Sequence, residues 1–550
     1  MTSPIAPLRI GIFRALWVAS VFSNVGSFLQ SVAASWLMLE LTQSAAWVGL
    51  MAASTTLPLL FLALIAGAVA DIVDRTKVMI WSQILMGAAA GAMAVLAVTN
   101  LITPGWLLAL GLLLGTGVAF NLPAWQALVP DLVPRELVAS AVALNSAAFN
   151  VARTVGPALG GLLIAWAGPA IGFGINAVSY SLVIGALLTI GRKLPPTNRE
   201  ATSVSNAIAL GIRYARYTQP FRRLLLLAAL FALISAAVQT VLPNLTQSLG
   251  GDETLFGLLW GAMGLGALLA AFTRNQLMKR FRGRSVPATV VGFGLAGIGL
   301  GFSPNAYLAA ACMVGAGACW VWTLATLNAT AQLMAPEWIR GRAMSLYSLA
   351  FVGILPLGAI ISGWIADIVG PGPANVIHGV AGVVLGLVAI NLRVPVLTEI
   401  ATPTFTAPSP APAHADTEGG PVMVLNTWVI DPAEAEEFVE VMNQLRLVRL
   451  RTGAYRWRLY RNAAEPFRMT EVFLTVDWEE HLAQHRRIDD QAADLIKHAR
   501  SFDRDGGPVT RHLVAVDVLD PEGRPDWDEL VATHRHLHEA DGSIAQADPN

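Results

Sequence analysis

Charge is scarce in this chain. Only 13% of its 550 residues are Asp, Glu, Lys or Arg, against about 25% in an ordinary soluble domain. That shortfall excludes a conventional soluble enzyme, and a mean hydropathy of +0.56 points the same way. Cysteine is almost absent as well. Cys312 and Cys319 share one apolar segment, which leaves neither a disulfide framework nor metal-ligand spacing. They read as small packing residues of a helix. A short signal-peptide core is also missing. The first apolar run follows Arg9 and Arg14 and is too long for one, so it reads as a retained first span. The sequence calls for no cofactor, no metal and no nucleic-acid partner.

What remains is apolar chain in lengths suited to a bilayer, whose hydrocarbon core takes about 20 residues of helix. Twelve such segments lie near 14–40, 45–70, 78–99, 104–129, 137–167, 170–190, 223–249, 254–273, 286–303, 305–333, 340–369 and 374–392. Lys and Arg are missing from every second loop. They crowd into the others, at Arg75 and Lys77, Arg135, Arg192 to Arg223, Arg274 to Arg284, Arg340 and Arg342, and Arg393. Basic residues are retained on the cytoplasmic side. Both termini and residues 191–222 are therefore expected in the cytoplasm of a cell (inner) membrane protein.

The chain also repeats itself. Residues 134–169 align without a gap on residues 336–371, an offset of 202 from Pro134 to Pro336. Ala141 meets Ala343, Phe149 meets Phe351, Gly156 meets Gly358, Gly161 meets Gly363, and Gly168-Pro169 meets Gly370-Pro371. A duplicated apolar chain is the mark of a secondary transporter with its site between the halves. The expected fold is an all-α integral membrane protein of twelve transmembrane helices. Its two pseudo-symmetric six-helix halves are 1–190 and 223–400, joined by a linker at 191–222. A Pro/Ala-rich linker follows at 401–420, then a soluble domain at 421–520 and a charged tail at 521–550. The soluble domain reads β-α-β-β-α-β, the order of a ferredoxin-like domain.

Between the second and third spans lies Gly67-Ala-Val-Ala-Asp71-Ile-Val-Asp74-Arg75-Thr-Lys77. This loop resembles the signature loop of the major facilitator superfamily. Its Asp74-Arg75 pair is similar to the drug:proton antiporter branch that includes macrolide and siderophore exporters. Ile72 stands where the family usually has a basic residue, and Asp74 where it has glycine. The resemblance implies that the acid gates the cytoplasmic side by meeting a helix N-terminus or an arginine in one state. A carboxylate there gains about 0.3–1 kcal/mol, enough to bias a two-state equilibrium without locking it. The plain alternative is a solvated charged turn. The matching loop of the second half carries Lys279, Arg280 and Arg282 but no acid.

Gly156-Pro157-Ala-Leu-Gly160-Gly161 resembles the antiporter signature of exporters in the same superfamily. Independently of any family, Gly156 and Gly160 form a face for close helix approach, and Pro157 frees a carbonyl. The second copy has Gly358, Ser362 and a nearby Pro356. Arg153 is the one basic residue deep in a span, and at a cost of about 2.5–3.5 kcal/mol it is a functional candidate by default. The alternative is an arginine bonded to helix-end carbonyls. Ser20, Asn24, Ser27, Ser31 and Ser35 form a polar stripe on the first span, lining a cavity or binding a neighbour. Gln30, Asn121, Asn150, Gln239, Asn244, Asn328 and Gln332, with Trp320 and Trp322, complete the candidates; any single one reads first as an interhelical hydrogen bond, and the set as a polar, mostly uncharged cavity suited to bulky amphipathic substrates. The only acids within spans are Glu40 and Asp367, both near outer ends, so proton coupling is what the resemblance implies and not what a carboxylate marks.

Leu447 to Trp457 and the helix Trp478-Glu-Glu-His481-Leu-Ala-Gln-His485 resemble the antibiotic-biosynthesis-monooxygenase family of dimeric α/β barrels. His481 and His485 stand one turn apart, at metal-ligand spacing but without a third ligand. The competing reading is a solvated helix face. The expected role is a dimerising or regulatory appendage, giving a homodimer through this domain. The leading expectation is an exporter of a small molecule. Its rivals are a membrane-anchored monooxygenase acting through 421–520 and an importer of the same fold.

Overall fold

The computed structural model describes residues 5–190, 204–281, 284–336, 338–391 and 421–515. The expected linker 401–420 and tail 521–550 lie outside the described residues. The chain divides into two compact units, Met1–Ile208 with Pro220–Ile400, and Ala209–Gln219 with Ala401–Asn550.

Among the described residues the first unit is built of helices. Its first six long helices are α1 (Gly11–Thr42), α2 (Ala45–Ile72), α3 (Arg75–Val98), α4 (Pro104–Asp131), α5 (Val138–Ala167) and α6 (Pro169–Ile190). After α7 (Val204–Tyr217) come α8 (Gln219–Thr240), α9 (Leu242–Ser248), α10 (Glu253–Phe281), α11 (Ser285–Gly301), α12 (Ala306–Met334), α13 (Arg340–Val352), α14 (Leu355–Val369) and α15 (Pro371–Asn391). Among the described residues, eleven stretches are long and apolar enough to cross a membrane. The expected ninth span is the exception. Helix α11 has 17 residues, about 26 Å at the α-helical rise, slightly under the ~30 Å hydrocarbon core.

Two expected spans are each made of two helices. The seventh breaks between α8 and α9 ahead of Pro243, and the eleventh breaks at Gly353-Ile354 ahead of Pro356. In both, the proline sits in the first turn of the new helix, where its missing N–H costs nothing. Pro157 sits inside α5, which continues through it. The α5–α6 and α14–α15 turns are built alike. Gly168 (φ 78°) and Gly370 (φ 89°) take left-handed backbone, which an L side chain resists, and Pro169 and Pro371 start the next helices. Starts of helices are capped by Ser44, Thr103, Asp252 and Asn305, each accepting a backbone N–H three residues on.

The expected linker 191–222 contains α7. Its residues from Ala209 onward group with the second unit, where Leu210 and Tyr214 are buried. Burial pushes the Tyr214 hydroxyl up to about 12, against the field of Arg451. The other described residues of this unit form an antiparallel sheet of β1 (Val422–Val429), β2 (Arg456–Arg461), β3 (Arg468–Thr475) and β4 (Val509–Val514), in the order β2-β3-β1-β4, and the helices around it. Helices α16 (Ala435–Thr452), α17 (Trp478–Arg486) and α18 (Asp490–Ser501) complete it. Strand β1 alternates buried and half-buried residues, as a sheet covered on one face does. Trp428 packs there with Phe438, Met442 and Leu445 of α16.

Candidate functional site

The first six helices and α8 to α15 meet along two seams of small residues. In the first, α5 lies on α10. A Cβ on Gly161 would sit 2.5 Å from the Glu253 carbonyl oxygen and 2.7 Å from Gly257 Cα. Further along, Gly261 faces Ala158 and Gly264 faces Thr154, whose hydroxyl donates to the Gly264 carbonyl at 3.0 Å. In the second seam, α14 lies on α2. Gly363 faces the Ala45 carbonyl, and Gly49 faces the Ala359 carbonyl. The absence of side chains lets the backbones touch, as close helix packing in a membrane requires.

The second seam ends in polar contacts. Asp367 accepts from Ser44 Oγ at 2.5 Å, from the Ala45 N–H at 2.6 Å and from the Ala46 N–H at 3.2 Å. Beside it, Gln247 of α9 donates to Gln43 Oε1 at 3.1 Å. Both contacts fall on the α1–α2 turn.

Arg153, next to Thr154 on α5, reaches across the two halves. Its guanidinium carbon lies 5.3 Å from the centre of the Trp320 ring on α12, within cation–π range. Among the described residues no ion pair to Arg153 is formed. The partner described for it is therefore an aromatic face.

A family model described as "Transmembrane secretion effector" matches residues 2–518. The chain belongs to this family, within the major facilitator superfamily. It is 27% identical over 396 residues to the multidrug efflux pump Tap of Mycolicibacterium fortuitum, covering 70% of this chain and 95% of Tap. It is 28% identical over 386 residues to the enterobactin exporter EntS of Salmonella typhimurium, covering 69% and 91%. Among solved structures, a bacterial homologue of the lysosomal transporter Spinster superposes with a TM-score of 0.56 at 16% identity, covering 71% of this chain and 97% of that one. A bacterial homologue of the iron transporter ferroportin gives 0.56 at 18% identity, covering 70% and 99%. At such identities the structures establish the fold alone. The chain is a multi-pass secondary transporter of an export family and not an enzyme, which sets the monooxygenase and importer readings aside.

Several of the polar candidates make hydrogen bonds within the helical unit. Ser20, Ser27 and Ser31 donate to the carbonyls of Trp17, Ser23 and Ser27 on their own helix, and Ser27 Oγ also lies 3.5 Å from the Tyr180 hydroxyl of α6. Gln30 accepts from Asn176 Nδ2 at 2.5 Å, and Asn176 also reaches the Tyr180 hydroxyl at 3.1 Å. This buried α1–α6 network was missed at Asn176 and Tyr180. The repeat offset offered a signal, since Asn176 aligns with His378. His378 has its own bond to Ser362 at 3.0 Å. Asn121 accepts from Gln83 at 3.2 Å, Trp322 donates to the Ala270 carbonyl at 3.0 Å, and Asn328 accepts from Gln332 at 2.6 Å. Asn24 and Gln239 are half-buried.

The glycine signature divides between two neighbours. A Cβ on Gly156 would sit 2.7 Å from Phe28 Cβ of α1, and one on Gly160 3.3 Å from Val32 Cβ, so both face inward to their own half. Gly358 repeats this against Leu233 and Ala236 of α8. Gly161 and Pro157 face the other half, at α10. In the loop, Asp74 caps α3, accepting from the Thr76 N–H at 2.8 Å and the Lys77 N–H at 3.3 Å. Arg75 is half-buried and Lys77 exposed. The side chains of Asp71 and Asn150, and the surroundings of Gly67, lie outside the described residues.

In the second unit, His481 is only 1% exposed, so the solvated-face reading of this helix is corrected. The ring nitrogens Nε2 of His481 and His485 are 3.4 Å apart, and His512 of β4 lies 4.9 Å from His481 between ring centres. Among the described residues no group of three His, Cys, Asp or Glu is arranged to hold a metal. His512 is some 30 residues away in sequence and escaped notice because only the β1–β4 pairing, Val424 opposite His512, brings it onto the same face. Burial, then the neighbouring His485, His512 and Arg449, hold the His481 ring down to about 3. Burial and Arg449 hold His485 to about 4. Nearby, Glu471 is fully buried yet accepts from Arg449, Trp457 and Asn426, as a buried carboxylate must.

Proposed function

We propose that this protein exports a small amphipathic molecule, of the size and character of a drug or siderophore, by alternating access coupled to protons. The observation that carries the reading is the pair of glycine seams, α5 on α10 and α2 on α14, along which two six-helix halves rock. Small residues on both sides let the backbones slide without unpacking large side chains. The named activities of Tap and EntS supply the substrate range. In this reading α11 is the ninth of twelve spans, shortened by a locally thin bilayer or flanking residues. The Lys- and Arg-rich loops put both termini in the cytoplasm of the cell (inner) membrane.

The loop 67–77 serves as the cytoplasmic gate, with Asp71 as its switching acid and Asp74 setting the start of α3. Arg153 on the Trp320 face, with Gln239, Asn24, Asn150 and Asn328, contacts substrate or the coupling step. The second unit is a ferredoxin-like domain, supported by its β-α-β-β-α-β order and the strand order β2-β3-β1-β4. It resembles the antibiotic-biosynthesis-monooxygenase family and acts as a dimerising or regulatory appendage.

The test is an efflux panel of macrolides, siderophores and lipophilic cations in cells expressing the protein, with and without a proton uncoupler. We expect uncoupler-sensitive export of at least one class. Equal retention of every compound in expressing and control cells overturns the reading.

A further inference from the structure

We propose that Asp367 is the outer latch of the transport cycle, closing the outside mouth by capping α2 across the seam between halves. The inference rests on the export reading and on the orientation given by the basic loops, which put the α1–α2 turn at the outer face.

The first N–H groups of any helix lack partners within it. For α2 these belong to Ala45 and Ala46, and Asp367 of the opposite half accepts from both. The Ser44 hydroxyl, which is also the helix's own cap, donates to the same carboxylate at 2.5 Å. Ser44 serves its own helix only through a long contact of 3.4 Å from the Trp47 N–H. The strongest capping of α2 is thus borrowed from the other half. A carboxylate with three donors at a helix N-terminus gains from both charge-assisted bonding and the helix dipole.

The position fits a latch and not a fixed joint. Asp367 is exposed and Ser44 and Ala46 are half-buried, so water reaches the carboxylate when the halves part, and opening costs little. The stripe Ala359, Gly363, Asp367 runs at four-residue steps along α14, and its first two members touch backbone of α2. Separation of the seam therefore breaks the Asp367 contacts with it. Gln247, gripping Gln43 from α9, holds the same turn from a second element. In the repeat, Asp367 aligns with Ala165, so the latch exists on one seam only. It is also distinct from loop 67–77, which lies at the other end of α2.

The experiment is a spin-label distance measurement across the outer loops of the full chain in lipid nanodiscs. Labels go on Leu101→Cys and Tyr307→Cys, both exposed, with Cys312→Ser and Cys319→Ala removing the native thiols. Wild type should show a dominant short distance and a minor long one. Asp367→Ala should raise the long-to-short ratio by a factor of about 10, which corresponds to about 1.4 kcal/mol. Ser44→Ala, which leaves the acid and both N–H donors in place, should raise it less. An unchanged distribution in a well-folded Asp367→Ala protein, with wild type exporting, overturns the latch alone. Should Asp367→Ala fail to reach the membrane, an unchanged ratio in Ser44→Ala does the same. A wild type that shows one distance and exports nothing overturns the export reading, and the latch with it.

Discussion

The two seams between the halves are built from the same kind of residue and end differently. Where α5 meets α10, the N-terminus of α10 is capped by its own Asp252, which accepts from the Leu255 N–H at 3.0 Å. Where α14 meets α2, the N-terminus of α2 is capped by Asp367 from the opposite half. A contact owned by one body survives its rotation, whereas a borrowed one is broken by it. With Asp367 as the latch, one seam stays packed as a pivot and the other lets go. The repeat sharpens this, because Gly161 and Gly363 are shared between copies while Asp367 stands opposite Ala165.

The largest effect is expected from filling the pivot. A side chain at Gly161 would press on the Glu253 carbonyl and Gly257 Cα, at 2.5 and 2.7 Å from its Cβ. Both are backbone, so no rotamer change relieves the clash, and overpacking of this kind costs about 1–3 kcal/mol. Gly161→Leu should abolish efflux, whereas Gly174→Leu, with open space at its Cβ, should export as wild type does. Efflux rates at matched membrane abundance check the pair. Normal export by Gly161→Leu would erase the distinction between the seams.

Much of this fold was legible because a bilayer imposes a simple rule on sequence. Apolar length marks spans, and the offset of the repeat matches α5 with α13 and α14 residue by residue. The break at Gly353-Ile354 was not legible, since Pro157 and Pro356 look alike in sequence and only Pro356 opens a new helix. The polar stripe on α1 was visible, but its partners were not. A serine in a membrane helix satisfies itself on its own carbonyls, as Ser27 and Ser31 do, and periodicity does not separate that from lining a cavity. Asp367 was noticed as an acid near an outer end. Its partners lie more than 300 residues away, at Ser44 to Ala46, and no local pattern announces them.

A second effect tests ownership of partners away from the seams. His378 uses both ring nitrogens, on Ser362 and the Ala374 carbonyl. His481 and His485 of the second unit have Nδ1 buried with no partner among the described residues. Their folded-state values of about 3 and about 4 lie below the ordinary 6.5. The unfolded domain therefore binds protons that the folded one refuses. Their contribution is full above about pH 6.5 and is lost progressively as pH falls towards 4 and 3. Exchange of the β1 and β4 amides, corrected for intrinsic rate, should rise between pH about 7.5 and pH about 5. His485→Gln should flatten that dependence. Equal protection at both pH values would show that these imidazoles are charged when folded.

The smallest effect should come from Asp252, and its smallness is what gives it force. Asp252→Ala removes a helix cap worth about 1 kcal/mol, close to what losing the Asp367 contacts should cost α2 in bonding. If ownership decides the outcome, the two losses express themselves differently. Asp252 stabilises α10 whether the outer mouth is open or shut, so its loss should lower the melting temperature slightly and leave the Leu101–Tyr307 distance ratio at the wild-type value. Asp367 stabilises one state only, so its loss should appear in that ratio. Melting curves and spin-label distances measured on the same preparations separate the two. A shift towards the long distance in Asp252→Ala, equal to that in Asp367→Ala, would mean that any weakened outer helix end opens the mouth, and the two seams would then be equivalent.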